Sequence, residues 1–246
     1  MNISAMYEIP NDAQQWVCLQ CGYNMIGEMP DICPFCGARH DRFMTWDETE
    51  KTYRVTSHPV NDFVDQLLSV PKLGLEHAAY RVETEAGAVW IDSPSAFNRE
   101  LAPVNAILFT HHHFMGASNQ YRHLWNTQVW LHDLDAKQPL AALFDIDQRF
   151  TDDFVAYGIE AYHIGGHTQG FTFYIYRDVL FICDYVFMTD NGMLFNPYGP
   201  ELETRQHAQR IVEIVKNKSL KTVCGYNYIT NFADWLVGLE HLISSG

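Results

Sequence analysis

The chain has 246 residues, is 47% hydrophobic, and carries 16 Lys+Arg against 30 Asp+Glu, for a formal net charge of −14. That length fits one large domain, or a medium domain with a small appendage, and the apolar fraction is enough for a core. The acidic balance and scattered basic residues exclude nucleic acid and anionic membrane as main partners, because both need a basic footprint.

The N-terminal MNISAMYEIPND lacks the basic start and apolar block of a signal peptide. No apolar run approaches the roughly 18 residues of a spanning helix. A cytoplasmic location is expected, with no membrane partner.

The first strong signal is WVCLQCGYNMIGEMPDICPFCG, residues 16–37. Cys18, Cys21, Cys33 and Cys36 form two C-x-x-C pairs. Such knuckles place four thiolates around one ion. A segment this short buries too little surface to fold alone, so the metal holds it together. Gly22 and Gly37 each follow the second cysteine of a pair. A glycine there tolerates φ > 0 and lets backbone N–H groups turn toward sulfur.

Residues 38–53 read as a polar connector, so the expected division is 1–45 for the four-cysteine module and 46–246 for the main domain. AAYRVE and AVWIDS flank a turn and predict a β-hairpin. VNAILFT, residues 104–110, has the texture of a buried strand. It runs into THHHFMG, where His111 and His113 stand at i and i+2. In extended backbone they share a face, so both can reach one ion while His112 points away.

TQVWLH predicts another strand, and the glycine-rich turn GGHTQG presents His167. FTFYIY and VLFICD form a second hairpin that ends at Asp184. The loop 187–199 is rich in Phe, Met and Tyr and is a candidate pocket wall. In ETRQHAQRIVEIVKNK, Ala208, Ile211, Val212 and Val215 share a helical face. KTVCGY is a last strand, and Asn231 is placed to cap a final helix. Strands alternate with helices and hairpins are included, which predicts an α/β sandwich. Cys183 and Cys224 read as small buried apolar residues, with a reactive thiol near the metal as the alternative.

Two resemblances follow from these residues. C-x-x-C-G-Y, C-P-x-C-G and the preceding Trp16 resemble the rubredoxin-like modules fused to other redox proteins. Zinc ribbons share the same knuckles, so one Fe or Zn is expected there. Residues 53–246 resemble the metallo-β-lactamase-fold superfamily. THHHFMG aligns with its T-H-x-H-x-D-H, GGHTQG with G-H-T-P-G, ICD with its strand-end aspartate, and Asp92 with its early aspartate. The resemblance implies an αββα sandwich with metals at one edge.

It also implies a metal held by His111, His113 and His167, with Asp184 as the bridging carboxylate and candidate catalytic base. The family's second metal has lost its ligands here, because Met115, Gly116 and Tyr226 stand at their positions. A single Zn or Fe held by three histidines and one aspartate is therefore expected. Zinc would supply hydroxide for a mononuclear metal-dependent hydrolase acting on a small-molecule substrate. Iron, held by His167, Asp184 and either His111 or His113, would make an oxidoreductase fed by the module or a redox partner. Persulfide dioxygenases, with one iron, and flavodiiron proteins, with two, share this fold. A non-catalytic metal-binding protein is the third reading.

Overall fold

A computed structural model describes residues 14–190, 192–226 and 228–245. The segment 1–12, read above for a leader, lies outside these residues. At the N-terminus β1 (Gln15–Cys18) pairs antiparallel with both β2 (Asn24–Ile26) and β3 (Phe43–Thr45). The segment expected to be a polar connector is structured. It completes this small sheet with β3 and continues as helix α1 (Trp46–Thr52). The Glu48 carboxylate accepts from the Thr45 N–H at 2.9 Å, half of a capping box that stabilises the helix start.

The main domain opens with a sheet in chain order: β4 (Arg54–Asn61), β5 (Val64–Val70), β6 (Ala79–Thr84), β7 (Gly87–Ile91), β8 (Ala106–Leu108), β9 (Gln128–His132) and β10 (Gln148–Phe150). The strands from β4 to β7 are antiparallel, and those from β7 to β10 are parallel. Helices α2 (Ser118–Trp125) and α3 (Asp133–Ala136) lie in the parallel crossovers.

The second sheet begins β11 (Phe154–Ala156), β12 (Ile159–His163), β13 (Thr172–Tyr176) and β14 (Val179–Cys183). After β14 a two-stranded ribbon, β15 (Val186–Thr189) and β16 (Gly192–Phe195), interrupts the sheet, and helix α4 (Glu201–Val215) follows. Then β17 (Thr222–Gly225) joins β14 in parallel, β18 (Ile229–Asn231) closes the edge, and α5 (Phe232–Ser244) packs outside. Asn231 caps α5 as expected, accepting from the Ala233 N–H at 2.8 Å.

Period-two alternation builds the layers. Val89, Ile91, Leu108, Tyr174 and Phe181 point between the two sheets. Their neighbours Trp90 and Ile107 face the α2 side, and Leu180 and Ile182 face α4 and α5. The result is helix, sheet, sheet, helix, with apolar residues on both faces of the inner strands. Among the described residues, no helix is long and apolar enough to cross a membrane.

The module is docked onto this sandwich. Val17 and Ile26 share a buried cluster with Trp90 and Ile107. Gln15 donates to the Gly116 carbonyl at 2.9 Å, and Asn24 donates to the Ser95 carbonyl at 3.1 Å. A Cβ on Gly22 would lie 2.6 Å from the Ser95 hydroxyl, so the glycine permits the close approach as well as the turn at φ 82.

Candidate metal centres

The four cysteine sulfurs converge, and each donor lies within 4.8 Å of the others. Cys18 and Cys36 are 3.6 Å apart, and Cys21 and Cys33 are 3.7 Å apart. Tetrahedral thiolates at about 2.3 Å from a metal would stand about 3.8 Å from one another, so the set fits one ion. Gly22 and Gly37 stand at φ 82 and 71 and donate their N–H groups to the carbonyls of Cys18 and Cys33, closing the turns, while the backbone N–H groups of Gln20, Cys21, Phe35 and Cys36 turn toward the sulfurs of Cys18 and Cys33.

The second cluster sits at the edge where β8 and β14 end and β13 begins. His111, His113 and His167 bring their donor nitrogens within 4.8 Å of one another. The ring of His111 lies 4.8 Å from that of His113 and 5.1 Å from that of His167, between centroids. The backbone at 109–113 is a bend rather than a strand, yet His112 still turns away. Its Nδ1 faces Asp135 at 3.0 Å, and Asp135 also accepts from Thr168 and the Gly170 N–H. Asp135 thus pins both histidine-bearing loops.

Asp92, at φ 59, accepts from the N–H and hydroxyl of Thr110 at 2.9 and 3.0 Å. Thr110 in turn meets His111 Nδ1 at 3.0 Å. This chain fixes the ring and leaves Nε2 to a ligand.

Asp184 closes the cluster. Its Oδ1 lies 3.6 Å from His111 Nε2, and neither atom has a hydrogen-bond partner. Two buried acceptor-type atoms face each other, an arrangement that a bound cation satisfies. Oδ2 stands 3.6 Å from His167 Nε2 and accepts from Asn196 at 2.8 Å.

Burial, with help from neighbouring imidazoles, lowers His111, pushes His113 down to about 2 and His167 down to about 3. All three are therefore neutral donors at physiological pH. Burial, then the Asp92 charge, raises Asp184 to about 8, so the carboxyl keeps its proton near neutrality until a bound cation displaces it.

The three positions where the resemblance expects further ligands are occupied otherwise. Met115 is buried in the core, and Gly116 sits at φ 53 with the Ser93 carbonyl 2.7 Å from where a Cβ would be. Tyr226 donates its hydroxyl to the Leu75 carbonyl.

A residue not anticipated from the sequence does reach the centre. His77, on the loop before β6, is buried with Nε2 3.3 Å from Asp184 Oδ2 and Nδ1 3.5 Å from Cys183 Sγ. Two ties hold its loop. Leu75 donates to the Gln20 carbonyl of the module, and Ala78 donates to the Tyr226 carbonyl. Cys224, by contrast, is an ordinary core residue.

A cavity of about 170 Å³ opens on this centre. Its wall includes His77, His113 and Asp184 from the main domain, and Cys21, Phe35 and Cys36 from the module. Phe187, Asn196 and Tyr198, from the loop expected to shape a pocket, complete it with Tyr226. A wider cleft reaches His113 and His167 from the other side.

Residues 16–44 match the family model described as the rubredoxin-like domain of rubrerythrin. No curated protein matches the chain in sequence. Among solved structures, the metallo-β-lactamase DIM-1 superposes with a TM-score of 0.60 at 13% identity, covering 78% of this chain and 96% of its own. A metallo-β-lactamase superfamily protein from Sulfolobus tokodaii, ST1585, gives 0.50 at 16% identity, over 68% of this chain and 79% of its own. TTHA1623, solved in a di-iron-bound form, gives 0.52 at 23% identity, over 65% of this chain and 91% of its own. The chain thus joins an N-terminal rubredoxin-like domain to a metallo-β-lactamase fold.

Proposed function

We propose that the protein is a metal-dependent oxidoreductase in which the four-cysteine centre exchanges electrons with the histidine–aspartate centre. One observation carries this reading. Phe35, between Cys33 and Cys36 in sequence, meets His113 with ring centroids 5.0 Å apart, and both residues line one cavity. A purely structural clip has only to hold its own fold, and nothing in that task requires a place on the wall of another metal's cavity.

Iron held by Cys18, Cys21, Cys33 and Cys36 would supply one-electron chemistry, and a metal held by His111, His113, His167 and Asp184 would supply open positions for a small substrate. The chain's own groups define the rest. The neutral imidazoles donate lone pairs, and Asp184 offsets cationic charge. Asn196 orients the Asp184 carboxylate. The rings of Phe35, Phe114, Phe187 and Tyr226 keep bulk water from the cavity and limit the acceptor to a small molecule. Electrons would enter from a reduced redox partner at the module. The description of TTHA1623 as di-iron-bound shows that this fold accommodates iron.

The hydrolytic reading is less well supported. A hydrolase needs a proton acceptor beside its nucleophile, and with Met115 in the core and Gly116 lacking a side chain, that task falls to Asp184 and its neighbour His77.

The test uses the full chain loaded with iron, reduced without oxygen, then mixed with oxygen or peroxide. Thiolate-to-iron absorption should return at least tenfold faster in wild type than in His167→Ala. Equal rates in the two proteins, or zinc as the only metal of the natively purified four-cysteine site, would overturn the proposal.

A further inference from the structure

We infer that His77, Cys183 and Asp184 form a second metal-binding position beside the three-histidine one, replacing the ligands lost at Met115, Gly116 and Tyr226. Each of the three residues is buried and offers a donor atom, and the donors all lie within 4.8 Å of one another. His77 Nε2 approaches Asp184 Oδ2 at 3.3 Å, and its Nδ1 is within hydrogen-bond distance of Cys183 Sγ at 3.5 Å, a contact that the thiol would exchange for a metal bond. An imidazole, a thiolate and a carboxylate together suit ferrous iron or zinc.

Asp184 is the common member. Its Oδ1 faces His111, and its Oδ2, which also accepts from Asn196, stands between His77 at 3.3 Å and His167 at 3.6 Å, so one carboxylate lies between the two donor sets. The ring of His77 is held in place for this role. Phe114 lies against one side, centroids 3.9 Å apart, and Tyr226 meets it edge-on at 4.8 Å. Phe114 belongs to the same THHHFMG run that supplies His111 and His113. The replacement therefore comes from a different loop, packed by the residue next to the original motif. The position also faces the cavity shared with the module, since His77 and Asp184 both line it.

The inference goes beyond the redox reading and is tested without activity. Full-length wild type, His77→Ala, His77→Gln and Cys183→Ser would be loaded with ferrous iron under anaerobic conditions, desalted and analysed for metal. His77→Ala and His77→Gln should each hold one iron fewer per chain, with the four-cysteine absorption unchanged as a check on folding. Cys183→Ser should bind that same ion at least tenfold more weakly. With manganese, wild type should show an exchange-coupled magnetic resonance signal, and His77→Gln an isolated-ion signal. Equal iron content in wild type and both His77 variants, or an isolated-ion signal from fully loaded wild type, would overturn the inference. Loss of electron transfer with both ions present would count against the proposed reaction and leave this position standing.

Discussion

Phe35 and His113 meet edge-on across the boundary between the two domains, with ring centroids 5.0 Å apart. Tyr23 and Phe114 flank the contact, at 4.6 and 5.3 Å from Phe35. The Phe35 ring carries no donor atom, so it can be replaced while the ligand His113 is kept. Phe35→Leu should leave the metal content of both centres unchanged and slow reoxidation of the four-cysteine centre several-fold. Metal analysis with stopped-flow absorption checks it, and an unchanged rate would remove Phe35 from the path.

Thr110 links Asp92 to His111, and it is fully buried. Thr110→Val keeps the shape and deletes the hydroxyl, leaving an Asp92 oxygen short of a donor. The expected cost is about 1–3 kcal/mol of stability. Loss of the bond that orients His111 should weaken metal binding at the histidine site by about tenfold or more. Urea unfolding and competitive metal titration measure the two effects separately. Stability loss with unchanged metal affinity would show that the hydroxyl supports only the fold.

The histidine site was legible in the sequence where its donors sit at the ends of strongly apolar strands. His111, His113 and Asp184 lie just past such runs and His167 sits in a glycine-rich turn, and the order of these motifs, through its resemblance to a known family, nominated them together. His77 was not, because GLEHAAY is a lone histidine in an unremarkable loop, and its contact Cys183 is 106 positions away. Only folding joins them. The segment 38–53 failed for another reason. Its charged residues read as a connector, although Thr45 followed by Glu48 is a capping-box spacing that announces helix α1. The docking of the module was equally unreadable, since it rests on polar side chains such as Gln15 and Asn24 meeting distant backbone carbonyls.

Installing Asp at 115 and His at 116, the residues of the motif that THHHFMG resembles, should not create metal ligands. Met115→Asp places a carboxylate in the core beside Trp90 and Tyr121, where an unpaired charge costs several kcal/mol. Gly116→His adds a Cβ against the Ser93 and Pro94 carbonyls at a backbone φ of 53, a further cost of about 1–3 kcal/mol. The double variant should therefore unfold at much lower urea and gain no metal over wild type. Additional bound metal with wild-type stability would refute this account of the motif.

Acid should destabilise the metal-free protein in a defined window. His77, His111, His113 and His167 are lowered, chiefly by burial, while the unfolded chain protonates its histidines near the ordinary 6.5. Their stabilising contribution is complete above that pH and is lost as pH falls below it. Asp184, raised to about 8, and Asp92, raised to about 6, act in the opposite sense, because the folded chain keeps protons that the unfolded chain releases. Glu76, raised to about 7 by burial, acts with the two aspartates, so four imidazoles against three carboxyls leave between one and two extra protons on the unfolded chain near pH 5, a slope on the order of 2 kcal/mol per pH unit. Between about pH 6 and 7 the two sets nearly cancel, so these groups place their maximum there. Urea midpoints of chelator-treated protein between pH 5 and 8 measure the curve. His113→Asn should make the acid limb shallower by about one proton, and a flat acid limb in wild type would show that these imidazoles already carry protons in the fold.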